Sequence, residues 1–101
     1  IKVKQKMKRE VSGGMKVQEF DFVIRDEIGI HARPAGLLAR EASAMSSVVT
    51  VECNGKKAEA KKLFDVLELG VKCGDSVKVT TEGEEEKSDA KKLRRFFEET
   101  F

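Results

Sequence analysis

The chain is short of the residues that most often build metal sites, staples and rigid aromatic platforms. Its 101 residues include one histidine, one proline and two cysteines, with neither tryptophan nor tyrosine. One histidine with Cys53 and Cys73, which form no CxxC pair, leaves no recognisable zinc spacing and no disulfide framework. Neither a metal nor a cofactor is expected. The same shortage argues against a hydrolase built on Cys53 or Cys73, because a thiol nucleophile needs a nearby base and no second histidine exists. Both cysteines read as buried free thiols. No apolar run approaches the ~18 residues of a membrane span, and no charged-then-apolar signal opens the chain. A cytoplasmic protein without direct membrane insertion is expected.

Charge is unevenly placed. The formal net charge is +2, yet Lys2, Lys4, Lys6, Lys8 and Arg9 against Glu10 put +4 into residues 1–14 and leave −2 for the rest. A mildly acidic domain behind a basic leader does not suit a polyanionic partner, so nucleic acid is not expected. The strands also lack the clustered exposed aromatics of an RNA-binding sheet. Ser12-Gly13-Gly14 reads as a flexible break, and Met15 behind it as a start codon. Residues 1–14 are therefore expected to be an added leader or natural basic arm outside the core fold, and 15–101 to form one domain.

What remains is clearly punctuated. Phe20, Phe22 and Ile24 alternate with Asp21, Val23 and Arg25, the period of a strand buried on one face. From Pro34 to about Ala44, apolar Ala35, Leu38, Ala39, Ala42 and Met45 follow helical spacing. Val49, Val51 and Cys53 share a strand face, Asn54-Gly55 is a type I′ hairpin signal, and Ala58 and Ala60 continue the inner face. Lys62 to Leu69 reads as a short helix ended by Gly70. Cys73-Gly74-Asp75 leads into a strand with Val77 and Val79 inward, and Glu82-Gly83 turns into a last helix. Glu84, Glu85 and Glu86 suit that helix's positive end, Ala90, Leu93 and Phe96 or Phe97 its buried face, and Lys91, Lys92, Arg94 and Arg95 its wet face. The order β-α-β-β-α-β-α predicts an α+β fold, a four-stranded antiparallel sheet with three helices on one face.

The lone histidine sits where such a fold can use it. In Gly29-Ile30-His31-Ala32-Arg33-Pro34, proline is expected at the first helical position, with His31, Ala32 and Arg33 in the turn before it. None of these is a Ser, Thr, Asp or Asn cap, so the first-turn N–H groups are left free beside an imidazole and a guanidinium. Free N–H groups at a helix N-terminus form an anion site, phosphate above all. A ring nucleophile at a phosphate site points to phosphoryl transfer through His31.

Three stretches carry a resemblance: Gly29 to Ala35; Asn54-Gly55-Lys56-Lys57 with Ala60-Lys61, Leu69 to Lys72 and Gly74-Asp75; and Glu82-Gly83-Glu84. Residues 15–101 resemble the HPr family, the histidine-containing phosphocarriers of the bacterial phosphoenolpyruvate-dependent sugar phosphotransferase system. The resemblance implies an open-faced β-sandwich carrying a phosphohistidine, charged by Enzyme I and discharged onto sugar-specific IIA components. It makes His31 the acceptor through Nδ1, Arg33 the arginine attending the phosphoryl group, and Pro34, beside Ala32, the helix-opening proline. It implies a phosphoryl carrier rather than an independent enzyme, working as a monomer. The alternative is a regulatory module whose output is docking onto a partner protein. An apolar docking patch is expected from Leu37 on the first helix and Leu63, Phe64 and Leu67 on the second, ringed by charge such as Arg40. Two positions depart from the family pattern. Lys62 occupies the site of the regulatory serine found in many members, leaving no regulatory serine, and Ile28 stands where relatives often have a small polar residue.

Overall fold

The computed structural model describes residues 10–11 and 15–101. Most of the segment read as a leader, residues 1–9 and 12–14, lies outside the described residues. In chain order the elements are β1 (Glu10–Val11), β2 (Met15–Val23), α1 (Ala32–Ser43), β3 (Val48–Cys53), β4 (Lys56–Glu59), α2 (Leu63–Glu68), β5 (Ser76–Glu82) and α3 (Glu86–Thr100). The sheet order is β1-β2-β5-β3-β4, with every neighbour antiparallel. The four long strands are those the sequence predicts. The fifth is a two-residue addition from within the segment read as a leader, Glu10 opposite Lys16 and Val11 opposite Met15.

One row of side chains shows why the sheet has a wet face and a dry one. Phe20 lies opposite Val79, Val79 opposite Val51, and Val51 opposite Ala58, so a single apolar row crosses four strands on the buried face. One residue along, Asp21, Lys78, Glu52 and Lys57 form the matching outer row, with charge alternating in sign from strand to strand. A slip of one residue would exchange these rows, so burial fixes the register. Between β3 and β4, Asn54 (φ 53°) and Gly55 (φ 83°) both take the left-handed conformation that a type I′ turn requires.

The helices cover the dry face. Ala35, Leu38 and Ala42 of α1, Val66 of α2, and Leu93 and Phe97 of α3 are buried among the inward strand residues. Phe97 is the hub: its ring meets Phe20 at 6.0 Å, Phe22 at 5.6 Å, Phe96 at 6.2 Å and Phe101 at 5.1 Å. Of the two phenylalanines that could have faced inward, Phe97 is fully buried and Phe96 half-buried. The start of α3 is tied down by a buried carboxylate, Asp89, whose Oδ2 accepts the Ser47 hydroxyl at 2.6 Å and the Ser47 N–H at 3.2 Å. Cys53 is buried, as expected, and burial followed by the nearby Asp75 carboxylate pushes its thiol up. Cys73 is exposed, contrary to the expectation, because it lies in the turn before β5 rather than on a strand. No helix among the described residues is long and apolar enough to cross a membrane.

The β2–α1 loop, residues 24–31, is held from three directions. The Ile24 N–H donates to the Asp75 carbonyl at 2.9 Å, and the Gly74 N–H returns to the Ile24 carbonyl at 2.8 Å. The Arg25 and Asp26 N–H groups both donate to the Phe101 backbone oxygen, at 2.6 and 2.8 Å. The Ile30 N–H donates to the Val71 carbonyl at 3.1 Å. At Gly29 the loop passes so close to residues 71–72 that an added Cβ would lie 2.3 Å from the Val71 oxygen and 2.8 Å from the Lys72 Cα. Its φ of +85° disfavours any larger residue independently. Gly29→Ala is therefore expected to lower unfolding free energy in urea by at least about 2 kcal/mol. Gly36→Ala, on open α1 surface with nothing within 4 Å of the new methyl, should raise it by about 0.5–1 kcal/mol.

Candidate functional site

The loop delivers His31 to the N-cap of α1. Its backbone is extended (φ −125°, ψ −179°), it makes no side-chain cap, and its carbonyl accepts the Ala35 N–H at 2.9 Å. The helix thus begins at Ala32, two residues earlier than expected, and Pro34 is its third residue rather than its first. Proline is accommodated there for the same reason as at the first position, since N–H groups of the opening turn have no acceptor within the helix.

The shift changes the inventory of donors. Of the first-turn residues, Ala32 and Arg33 carry backbone N–H groups without a backbone partner among the described residues, Pro34 carries none, and Ala35 is already bonded. The first turn contains no acidic residue. An anion at this terminus therefore meets two peptide N–H groups and the positive end of a twelve-residue helix, undiluted by a local carboxylate on the helix itself. Ala32 and Arg33 are exposed, while Pro34 is buried. The Arg33 guanidinium stands in none of the three ion pairs among the described residues. The His31 side chain is 37% exposed, within reach of an outside donor. Its Nε2 lies 3.9 Å from Oδ2 of Asp26, an acid five positions earlier that the sequence reading did not single out. The available signal was the Asp-x-x-Gly pattern ahead of the histidine, since Asp favours side-chain turns onto a following backbone N–H.

The expected docking residues divide by exposure. Leu37 and Arg40 of α1 and Phe64 of α2 are exposed, Phe64 by 74%. Leu63 and Leu67 are half-buried and packed against the core. Five of the six phenylalanines join the cluster around Phe97, and Phe64 is the one left outside it. Ile28, noted in the sequence only for the polar group it replaces, is 67% exposed three residues before His31. Lys62 is the exposed N-cap of α2, with its Nζ 3.7 Å from Glu59 Oε1. No cluster of metal-ligating side chains occurs among the described residues.

Comparison with known proteins bears on the whole of this arrangement. Residues 18–99 match the family model described as the PTS HPr component phosphorylation site. The phosphocarrier protein HPr of Mycoplasma capricolum is 37% identical over 65 residues, which cover 64% of this chain and 73% of that protein. The crystal structure of HPr-C-His from Thermoanaerobacter tengcongensis superposes with a TM-score of 0.78 at 38% identity, covering 83% of this chain and 94% of the other. An HPr dimer from the same organism gives 0.65 at 38% identity, covering 77% and 90%. The matched region runs from β2 into α3 and takes in His31, Arg33 and Pro34, and the chain belongs to the HPr family of phosphocarriers.

Proposed function

We propose that this protein accepts a phosphoryl group from phosphorylated Enzyme I on Nδ1 of His31 and passes it to sugar-specific IIA components. The observation that carries the reading is the partly exposed imidazole at an uncapped helix N-terminus whose first turn holds no acid, with two peptide N–H groups that have no backbone partner among the described residues. A neutral ring nitrogen supplies the lone pair that attacks phosphorus. The phosphoryl oxygens then meet the Ala32 and Arg33 N–H groups and the Arg33 guanidinium, whose planar fork of donors suits them. The protein completes no reaction on a small molecule by itself, which makes it a carrier rather than an enzyme. Leu37, Arg40 and Phe64 form the docking surface, with Leu63 and Leu67 supporting it from beneath. Free cysteines are consistent with a reducing cytoplasm, and the carrier is proposed to act there as a monomer.

Incubation with phosphoenolpyruvate and Enzyme I should add one phosphoryl group by intact mass at neutral pH. His31→Ala should abolish the shift while its unfolding curve stays close to the parent's. The adduct should be lost in acid and survive base, as a phosphoramidate does. Phosphorylation of the His31→Ala protein would overturn the assignment.

Arg33→Ala tests the anion site separately. Hydrogen bonds from charged donors contribute roughly 1.5–3 kcal/mol, so transfer measured by rapid quench should slow about ten- to a hundredfold. Because Arg33 is exposed and stands in none of the ion pairs among the described residues, stability should barely change.

Lys62 sets the expectation for control. A phosphoserine there would place close to two negative charges beside Leu63 and Phe64 and oppose docking by repulsion and desolvation. Lysine offers no acceptor hydroxyl. ATP with an HPr-type serine kinase should leave the protein unmodified while His31 is still phosphorylated, and Lys62→Ser should create a substrate. Stoichiometric modification of the parent at Ser43, Ser46 or Ser47 would contradict this. Lys62→Glu should weaken Enzyme I binding without altering the fold, as read by titration calorimetry and circular dichroism.

A further inference from the structure

Asp26 is built into the loop so that one of its two carboxylate oxygens remains for His31. Its Oδ1 accepts the Ile28 N–H at 2.9 Å, its carbonyl accepts the Gly29 N–H at 2.9 Å, and its own N–H donates to the Phe101 oxygen at 2.8 Å. The backbone and one oxygen are thereby committed to the turn. The other oxygen, Oδ2, faces Nε2 of His31 at 3.9 Å, and the two side chains are 28% and 37% exposed. That separation is longer than a hydrogen bond, so the carboxylate acts on the ring as a facing charge at this distance.

We propose that Asp26 is a positioning residue that holds His31 in its Nε2–H tautomer and so leaves the Nδ1 lone pair free for phosphorus. The proposal rests on the phosphocarrier reading above. A neutral imidazole carries one proton on two nitrogens, and the group facing one nitrogen decides which of them is the donor. An ionised carboxylate only accepts, so Oδ2 favours the proton on Nε2. When the Nδ1–phosphorus bond forms and the donor's bond to phosphorus breaks, the Nε2 proton stays where it is. The positive charge that the ring gathers is then faced by the carboxylate. The backbone of Ile28 takes part, although its apolar side chain offers the site no polar group. Its N–H fixes Asp26, and Asp26 supplies the polar contact.

Asp26→Asn separates orientation of the ring from support of the turn. Only the amide oxygen can accept the Ile28 N–H, which leaves the amide NH2 in the place of Oδ2. An NH2 group donates, so it would draw the lone pair to Nε2 and put the proton on Nδ1. Long-range 15N–1H spectra of His31, taken where the ring is neutral, should give Nε2–H in the parent and a shift towards Nδ1–H in Asp26→Asn. Asp26→Ala should give a mixture. Phosphoryl uptake by Asp26→Asn should fall at least about tenfold, below that of Asp26→Ala, although Asn keeps the turn and Ala does not. A residue that merely supports the loop would produce the opposite order, with Asn close to the parent. An Asp26→Asn protein that keeps the parent's tautomer and rate overturns the proposal. If the parent itself takes up no phosphoryl group, the carrier reading fails, and the tautomer spectra alone still decide whether Asp26 orients the ring.

Discussion

The hydrogen bond from the Ile30 N–H to the Val71 carbonyl fixes where the histidine stands. It forms at 3.1 Å because Gly29 lets the loop press against residues 71–72 with no side chain between them. From Val71 the restraint passes through the next turn, where the Asp75 Oδ2 accepts the Lys72 N–H at 2.9 Å, and so into β5. β5 lies in the interior of the sheet, between β2 and β3. The Phe101 oxygen secures the other end of the loop, and Phe101 packs on Phe97 at the centre of the aromatic cluster. A partly exposed residue at the end of a loop is thus referred, through a few backbone bonds, to the buried aromatic cluster. The proposed transfer between proteins would benefit from this, because reacting atoms must be held near attack geometry.

The site is made as much by omission as by what it contains. A Ser or Asp at position 31 would have capped α1, at a gain in helix stability of about 1 kcal/mol. Instead the N-cap is a histidine that makes no cap bond, the first turn has no acid, and Pro34 contributes no N–H. The terminus keeps its positive end for an outside anion. Two peptide donors and one arginine would make a modest anion site, which suits the proposed carrier role, where the group is held briefly and released. The acid beside the imidazole works in the same direction. In the proposed role, Asp26 would favour the proton on Nε2, and its negative charge would moderate the pull of the helix terminus and Arg33 on the phosphoryl group.

Features written into local sequence were legible. Asn54-Gly55 takes the backbone its residues favour, the alternation of Phe20 and Phe22 with Asp21 and Val23 sets a strand face, and the spacing of Leu38 and Ala42 sets a helix face. The features that escaped depend on tertiary partners. Proline gives the same local signal at the first or the third helical position, and the loop contacts put it at the third. Glu86 and Asp89 fit the acidic start of α3, but their burial, and the Asp89 bonds to Ser47, follow from how the helix lands on the chain after α1. Cys73 read as core from residue type and proved exposed in a turn. At the candidate site, His31, Arg33 and Pro34 lie within four consecutive residues, so the sequence alone could single them out as candidates. Asp26 comes near His31 only because the turn at Ile28 and Gly29 folds the chain back.

The phenylalanines separate folding from recognition. Phe20, Phe22, Phe96, Phe97 and Phe101 satisfy one another, and Arg94 and Arg25 lie over the Phe20 and Phe22 rings at 4.8 and 5.3 Å. Phe64 takes no part in this. An aromatic side chain 74% exposed on a six-residue helix contributes little to the core, and a contiguous exposed apolar patch on a small domain marks a place where a partner sits. Ile28, three residues before His31, and Leu37, on the helix that His31 opens, are exposed as well. In the proposed carrier role, a partner that covers them would also remove water from around His31, the two N–H groups and the Arg33 guanidinium. Each electrostatic contact to the phosphoryl group is stronger in that lower dielectric. Docking would then switch on the chemistry that an open site performs weakly, and the free phosphorylated carrier, exposed to water, would hold its charge by weaker contacts until the next partner closes over it.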